Sequence, residues 1–402
     1  MRILLLTRIS NQDGNSIYNS YTEGIVSNYP DTVVVDYFNL YFTCGHIGFE
    51  KTILDTIETQ HIDTIFINFV SGDLTFDLDF LNTLSERCYL IMNFYDGELF
   101  FEPIDRYYAQ CADLVLIPGA SNFVYSYTLL NIPARSIFSL FDSKRYVPTH
   151  QNKDIDISFI GDISKLSRRR FLTALQNAGF HVEVFGYGSA HGPVTFSEMV
   201  EIFNRSKINL NFSDTVQERT FNFATNTNYR IVPKIMRYMT QLKGRSIEVA
   251  MCKGFVLSQY AVGLEELFSN DEIGWFHDEE DLIKQVRFYL MHENQREEMA
   301  YKSYVKALSC YDARKAFKTF FESIDIRQRP TKTLYSDKEF EKNYATYHAL
   351  YFFNFLFKGK VALCIQELKI MYRSSIDWVT FMSHLRQQFY YQIVKKILRH
   401  FH

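Results

Sequence analysis

The stretch KGRSIEVAMCKGFVLSQYAVGLEELF, residues 243–268, places a helix start, a strand-like run and a second helix start in immediate succession. Lys243 and Arg245 open it, and Glu248 follows one turn later inside an apolar run. A helix beginning at residues 243–246 leaves free backbone N–H groups and a positive dipole end, so cations placed there reinforce an anion site. Arg can hold a diphosphate through two parallel charge-assisted bonds, each worth roughly 1.5–3 kcal/mol. Glu248 does not help to bind phosphate. It suits the two hydroxyls of a ribose, the task acidic residues take in dinucleotide-binding folds. The competing reading makes Lys243 and Arg245 surface charges and Glu248 part of an i,i+4 pair.

Outward from this stretch, strand-length apolar runs recur with helical stretches between them. In the first half they are RILLLT (2–7), TVVVD (32–36), DTIFINF (63–69), YLIMNF (89–94) and DLVLIP (113–118). The pattern lapses over FDSKRYVPTHQNKD, a polar stretch with one proline that reads as a linker. It restarts with DISFIG (156–161), HVEVFG (181–186), KINLNFS (207–213), GFVLSQ (254–259) and EIGWF (272–276). Strands alternating with helices predict βαβ units and parallel sheets. The fold class expected is α/β, with two Rossmann-like domains facing a cleft and a C-terminal helical extension. The boundaries are 1–145, 146–330 and 331–402. Open sheets of this kind bind ligands at the carboxyl ends of their strands, so the cleft between the domains is the expected site.

The bulk numbers agree. A chain of 402 residues exceeds what one core usually supports. Its 47% hydrophobic and 22% charged content is that of an ordinary globular protein rather than a disordered one. A formal net charge of −3 argues against a general nucleic-acid binder. The aromatic excess, 37 Phe and 27 Tyr, fits either AT-rich codon usage or a functional aromatic surface. Six cysteines without a C-x-x-C pair or a histidine cluster fit reduced thiols in the cytoplasm. No apolar window is long enough for a membrane span, and the opening MRILLLTRIS reads as a first strand, not a leader peptide.

Residues 331–402 differ, holding 11 Lys+Arg against 5 Asp+Glu. Within FYYQIVKKILRHF (389–401), Ile393, Ile397 and Phe401 form one stripe beside Lys395, Lys396 and Arg399. One reading is a peripheral contact with the inner face of an anionic membrane. The other is a helical cap on the second domain or on another subunit.

The run K-x-R-x-x-E-x-A-M-C-x-G-F-x-L-S-x-Y-x-x-G-L-E-E-L-F resembles the CgeB-like glycosyltransferases, of the "glycosyl transferases group 1" type with the GT-B fold. The resemblance extends through IGWFHDEEDLIKQVRFYLMHENQREEMA and back to DISFIGDISKLSRRRFLTAL, FGYG and KINLNFS, covering about residues 155–325. It implies transfer of a sugar from a nucleotide-sugar donor to a glycan, a lipid-linked glycan or a protein, with no cofactor and no metal. It further implies that Gly161 approaches the donor phosphates and that Gly186 and Gly188 line the base or sugar edge. Asn209 or Asn211 would sit near the donor, with Arg230 a further candidate. Lys243 and Arg245 would clamp the diphosphate, Glu248 would hold the ribose, and Gly263 and Glu265 would lie close to the donor sugar. Retaining members carry a second Glu eight positions before the ribose Glu, where this chain has Thr240.

An inverting enzyme needs a carboxylate or His of the first domain to take the acceptor's proton. Candidates after strand ends are Asp13, His46, Asp96 and Glu98, with Asp13 and Asp96 preferred. Asp-Gly at these places is also ordinary turn chemistry. Asp77-x-Asp79 matches a metal-holding triplet, but an acidic N-cap explains it, and Asp154-x-Asp156 shows how common the pattern is. Two rival functions share the phosphate site or the surface: a nucleotide-sugar epimerase and a non-catalytic carbohydrate-binding protein.

Overall fold

The computed structural model describes residues 1–9, 17–149, 152–214, 240–374, 378, 379 and 382. Asp13, Arg230 and the stretch 389–401 lie outside the described residues.

The described residues form two parallel sheets. The first has the order β2-β1-β3-β4-β5-β6, from β1 (Ile3–Thr7), β2 (Val33–Asp36), β3 (Thr64–Asn68), β4 (Tyr89–Asn93), β5 (Leu114–Ile117) and β6 (Ala134–Ser136). The second has the order β11-β10-β9-β7-β8, from β7 (Ile155–Ile160), β8 (Glu183–Phe185), β9 (Ser206–Asn211), β10 (Val256–Gln259) and β11 (Gly274–Phe276). All pairings within them are parallel. The expected α/β class holds. β6 escaped the sequence reading because ARS carries no apolar run.

Strand residues alternate between two buried faces, as helices on both sides of a parallel sheet require. Leu4, Leu6, Ile65, Ile67, Leu90 and Met92 enter one cluster, while Ile3, Leu5, Phe66, Ile91 and Leu116 enter another. In each sheet the strand order reverses beside the first strand, between β1 and β3 and between β7 and β9. These switch points are where open sheets leave a crevice.

The chain crosses between the sheets and then returns. At the return, the Phe141 N–H donates to the Tyr311 carbonyl at 3.1 Å, and the Ala313 N–H donates to the Phe141 carbonyl at 2.9 Å. Beyond it, the helix Ala313–Glu322 buries Ala313, Phe317, Phe320 and Phe321 with Ile3, Leu5 and Tyr21 of the first sheet's layer. The sequence reading grouped this helix with the second domain.

The helices Lys338–Phe357 and Val361–Arg373 also lie on the first domain, where Phe340, Tyr344, Tyr351, Phe355 and Cys364 complete its largest core cluster. The expected cap on the second domain is therefore a cap on the first. Buried polar pairs fix it there. Tyr37 and Tyr347 donate to Asp73 at 2.7 and 2.9 Å. Tyr41 donates to Glu367 at 2.8 Å, and His348 meets the same carboxylate at 2.7 Å. Most buried polar groups are partnered in this way.

Candidate functional site between the two sheets

The carboxyl ends of the strands meet across one crevice, and the connecting loops bring opposite charges to it. On the first sheet, β4 ends at Asn93 and turns through Asp96, whose backbone is left-handed at φ 57°. A non-glycine residue held in that region stores strain, and such residues cluster at functional sites. Asp96 accepts from Ser71 Oγ at 2.5 Å and from the Gln241 side-chain amide of the second domain. The same amide lies 3.3 Å from Glu98 Oε2. Burial raises the Glu98 carboxyl to about 7; Asp96 adds to the rise, while a backbone hydrogen bond and Lys243 oppose it. Asp105 lies behind, in the π-helical turn Phe101–Asp105. Burial, with Asp96 and Glu98 near, holds its carboxyl well above the usual range.

On the second sheet, Lys243 Nζ donates to Gln241 Oε1 at 2.5 Å, so a short Lys243–Gln241–Asp96 chain spans the crevice. Burial lowers the Lys243 ammonium from its ordinary value; Asp96 opposes this and Lys165 adds to it. Lys165 and Arg168 come from the turn after β7 and the start of the helix Leu166–Asn177. Asp214, just past β9, holds both: Arg168 Nε at 2.9 Å and Lys165 Nζ at 3.3 Å. Three cations thus gather where two loops of the second sheet converge. The helix start adds the positive end of its dipole, and Lys165 as N-cap makes no side-chain cap bond. Lys165 and Arg168 lie in DISKLSRRRF, quoted above only for the family resemblance. The signal that marks them is a strand, a Gly-Asp turn and cations at a helix start.

The other expected residues fall into three groups. Gly161, Gly186 and Gly188 do lie together at this end of the sheet. The Gly161 N–H donates to the Phe185 carbonyl at 2.8 Å, and a Cβ on Gly186 would lie 2.4 Å from the Gly161 carbonyl oxygen. Close passage of two loops, rather than space for phosphate, explains glycine at 186. A Cβ on Gly161 would come within 3.0 Å of Arg168 Nη1, so that glycine borders the cationic cluster.

Arg245 and Glu248 separate from Lys243. Arg245 Nη1 pairs with Glu248 Oε2 at 2.8 Å, and the guanidinium lies 5.2 Å from the Phe203 ring centroid. Glu248 Oε1 also accepts from Tyr146 of the crossing segment at 2.7 Å. Glu248 is paired within its helix, though with Arg245 at i,i+3 rather than at the i,i+4 spacing of the competing reading. The helix start itself remains at the domain boundary, since a Cβ on Gly244 would meet the Phe141 ring at 2.6 Å.

Asn211 and Gly263 hold the architecture together and do not face open space. Asn211 is buried and donates to Ser246 and Ser258 at 3.2 and 2.9 Å, tying β9 to β10 and the helix Arg245–Met251. Gly263, left-handed at φ 88°, would place a Cβ 2.1 Å from that of Ala120 in the first domain. Glu265 is exposed and accepts from Tyr260 at 3.2 Å. Its neighbour Glu266 makes the contact across domains, accepting from Ser121 N and Oγ at 3.0 and 2.9 Å. Asp77 caps the helix Leu78–Arg87, accepting from the Asp79 N–H at 2.8 Å. Among the described residues, no group of three or more His, Cys, Asp or Glu side chains could hold a metal ion.

A family described as "Glycosyl transferase-like" matches residues 168–322. HepE from Anabaena, solved in complex with UDP and glucose, superposes with a TM-score of 0.56 at 11% identity, covering 81% of this chain and 100% of that one. Sucrose-phosphate synthase from Thermosynechococcus elongatus gives 0.55 at 10%, covering 80% and 98%. A glycosyltransferase from Rickettsia africae gives 0.53 at 11%, covering 80% and 97%. Among curated proteins, none matches the chain by sequence. At such identities the superpositions speak for the fold, and the family match speaks for the second domain. The chain thus has the two-sheet GT-B architecture of these structures, and its residues 168–322 match a glycosyltransferase-like family.

Proposed function

We propose that this enzyme moves a sugar from a nucleoside-diphosphate sugar to a hydroxyl of a glycan, free, lipid-linked or protein-borne, by in-line displacement at the anomeric carbon. One observation carries the reading: Lys165, Arg168 and Lys243 converge on one wall of the crevice while Glu98, tuned to about 7, stands on the other. A base near the working pH is the best compromise between being deprotonated and being strong enough to take a proton.

The steps follow from those positions. The Glu98 carboxylate takes the acceptor hydroxyl's proton as its oxygen bonds to the anomeric carbon. The bond from that carbon to the β-phosphate oxygen breaks, and the nucleoside diphosphate leaves with the electron pair. Negative charge then grows on the leaving phosphate, where Lys243, Lys165 and Arg168 stabilise it without reorganising. Thr240 in place of a second Glu and a carboxylate base in the first domain both favour inversion. Asp96, locked by Ser71 and Gln241, is a positioning residue for Glu98 and Lys243. Arg245 and Glu248 remain candidates for the ribose end, reached if donor binding parts their ion pair. The K-x-R-x-x-E run supports a place near the CgeB-like branch, and the cationic wall supports metal-free departure of the diphosphate.

UDP and UDP-sugars are the first donors to test, because the HepE structures hold UDP and UDP-glucose. A nucleotide present at about 100 times its Kd should stabilise the protein by ~2.7 kcal/mol in a thermal-shift assay. A panel of UDP, GDP, CDP and their sugar conjugates should yield at least one such shift, reduced in Lys243→Ala. No shift with any nucleotide would overturn the reading. Conversion of the sugar nucleotide without an acceptor would favour an epimerase.

A further inference from the structure

The helix Val361–Arg373 packs one side on the first domain through Cys364, Glu367 and Met371. A second side, about a quarter-turn round from it, is apolar and largely exposed. Val361, Ile365, Leu368 and Tyr372 are 64%, 49%, 42% and 85% exposed. At about 100° per residue they fall within roughly 60° of arc, one continuous stripe. Leu356 and Phe357, at the end of the preceding helix, are exposed as well. A run of large apolar side chains in contact with water marks an interaction surface.

The charges around it say what it meets. Lys358, Lys369 and Arg373 are exposed beside the stripe. The only acidic residue from 343 to 374 is Glu367, and it is buried against Tyr41 and His348. An apolar stripe with cations on its flank and no exposed anion among residues 343–374 suits an anionic lipid surface, with the helix lying in the headgroup layer. No helix of the described residues is long and apolar enough to cross a membrane, so contact from one side is the geometry left to this surface.

We infer that the outer face of residues 356–373 docks the first domain on an anionic membrane. The Glu367 and Asp73 hydrogen bonds couple that face to the domain that carries Glu98. The inference does not depend on the sugar-transfer reading.

The test is co-sedimentation of the full chain with vesicles of phosphatidylcholine alone and with about a third phosphatidylglycerol. The wild type should bind only the anionic vesicles, and less at high salt. Ile365→Glu with Leu368→Glu, and separately Lys358→Glu with Lys369→Glu and Arg373→Glu, should each weaken the partition roughly tenfold or more. Both should keep the wild-type Tm and the nucleotide-induced shift. Equal binding by wild type and variants, or no binding by wild type, overturns the inference. A drop in Tm for the apolar pair would mean that the chain itself covers the stripe. A wild-type dimer dissociated by that pair would mean that a second copy does. Either outcome also overturns the inference.

Discussion

Across the crevice, two sheets of the same construction carry opposite chemistry at the same place. The carboxyl end of the first presents Asp96, Glu98 and Asp105, and that of the second presents Lys165, Arg168 and Lys243. Backbone topology sets the location twice over, and a few loop residues then assign each half its task. On the proposed function, the acids would serve the group that loses a proton and the cations the group that leaves as an anion. The division also explains why Gln241, neutral and able to donate and accept, stands between Lys243 and Asp96.

The strongest challenge to this division is Glu98→Gln. It should lower kcat/KM by about 10²–10⁴-fold in a nucleotide-release assay while leaving UDP binding intact. The wild-type rate should climb as pH rises through about 7, because the base must be ionised. A variant of near-normal rate would move the base elsewhere, Asp13 first.

Phe317→Ala tests whether the returning helix belongs to the first domain's core. Phe317 is fully buried between Phe66 and Tyr21. Loss of its ring should cost about 3–5 kcal/mol in denaturant unfolding.

Lys243→Ala should weaken UDP binding by ~1.5–3 kcal/mol, and Arg245→Ala by less, since Arg245 already has Glu248 and Phe203. Equal effects in calorimetry would restore the paired clamp expected from the sequence.

The smallest effect is on stability. A carboxyl raised from 4.5 to about 7 in the folded state stabilises fully below pH 4.5 and loses that contribution as pH rises through about 7. For a partly buried group this amounts to roughly 1–2 kcal/mol. Wild type minus Glu98→Gln, compared at pH 5 and 8, isolates it.

Both sheets were legible because buried parallel strands announce themselves as short apolar runs. The exception, β6, has only Ala134, Arg135 and Ser136 at the sheet edge. Which domain the helix Ala313–Glu322 would join was not legible, since its Phe317, Phe320 and Phe321 face would suit either core. Lys243 and Asp96 could be picked out because each follows a strand end or opens a helix. Arg245 sits two residues from Lys243, yet its direction is decided by Phe203 and Glu248, partners that only the folded chain supplies. Asn211 and Gly263 look equally polar or permissive in sequence whether they serve a ligand or a packing contact.

The doubled crossing at Phe141 and Tyr311–Ala313 has a mechanical consequence. Two chain segments bonded side by side tie the sheets along one short line, and sliding of one sheet past the other there would break both backbone bonds.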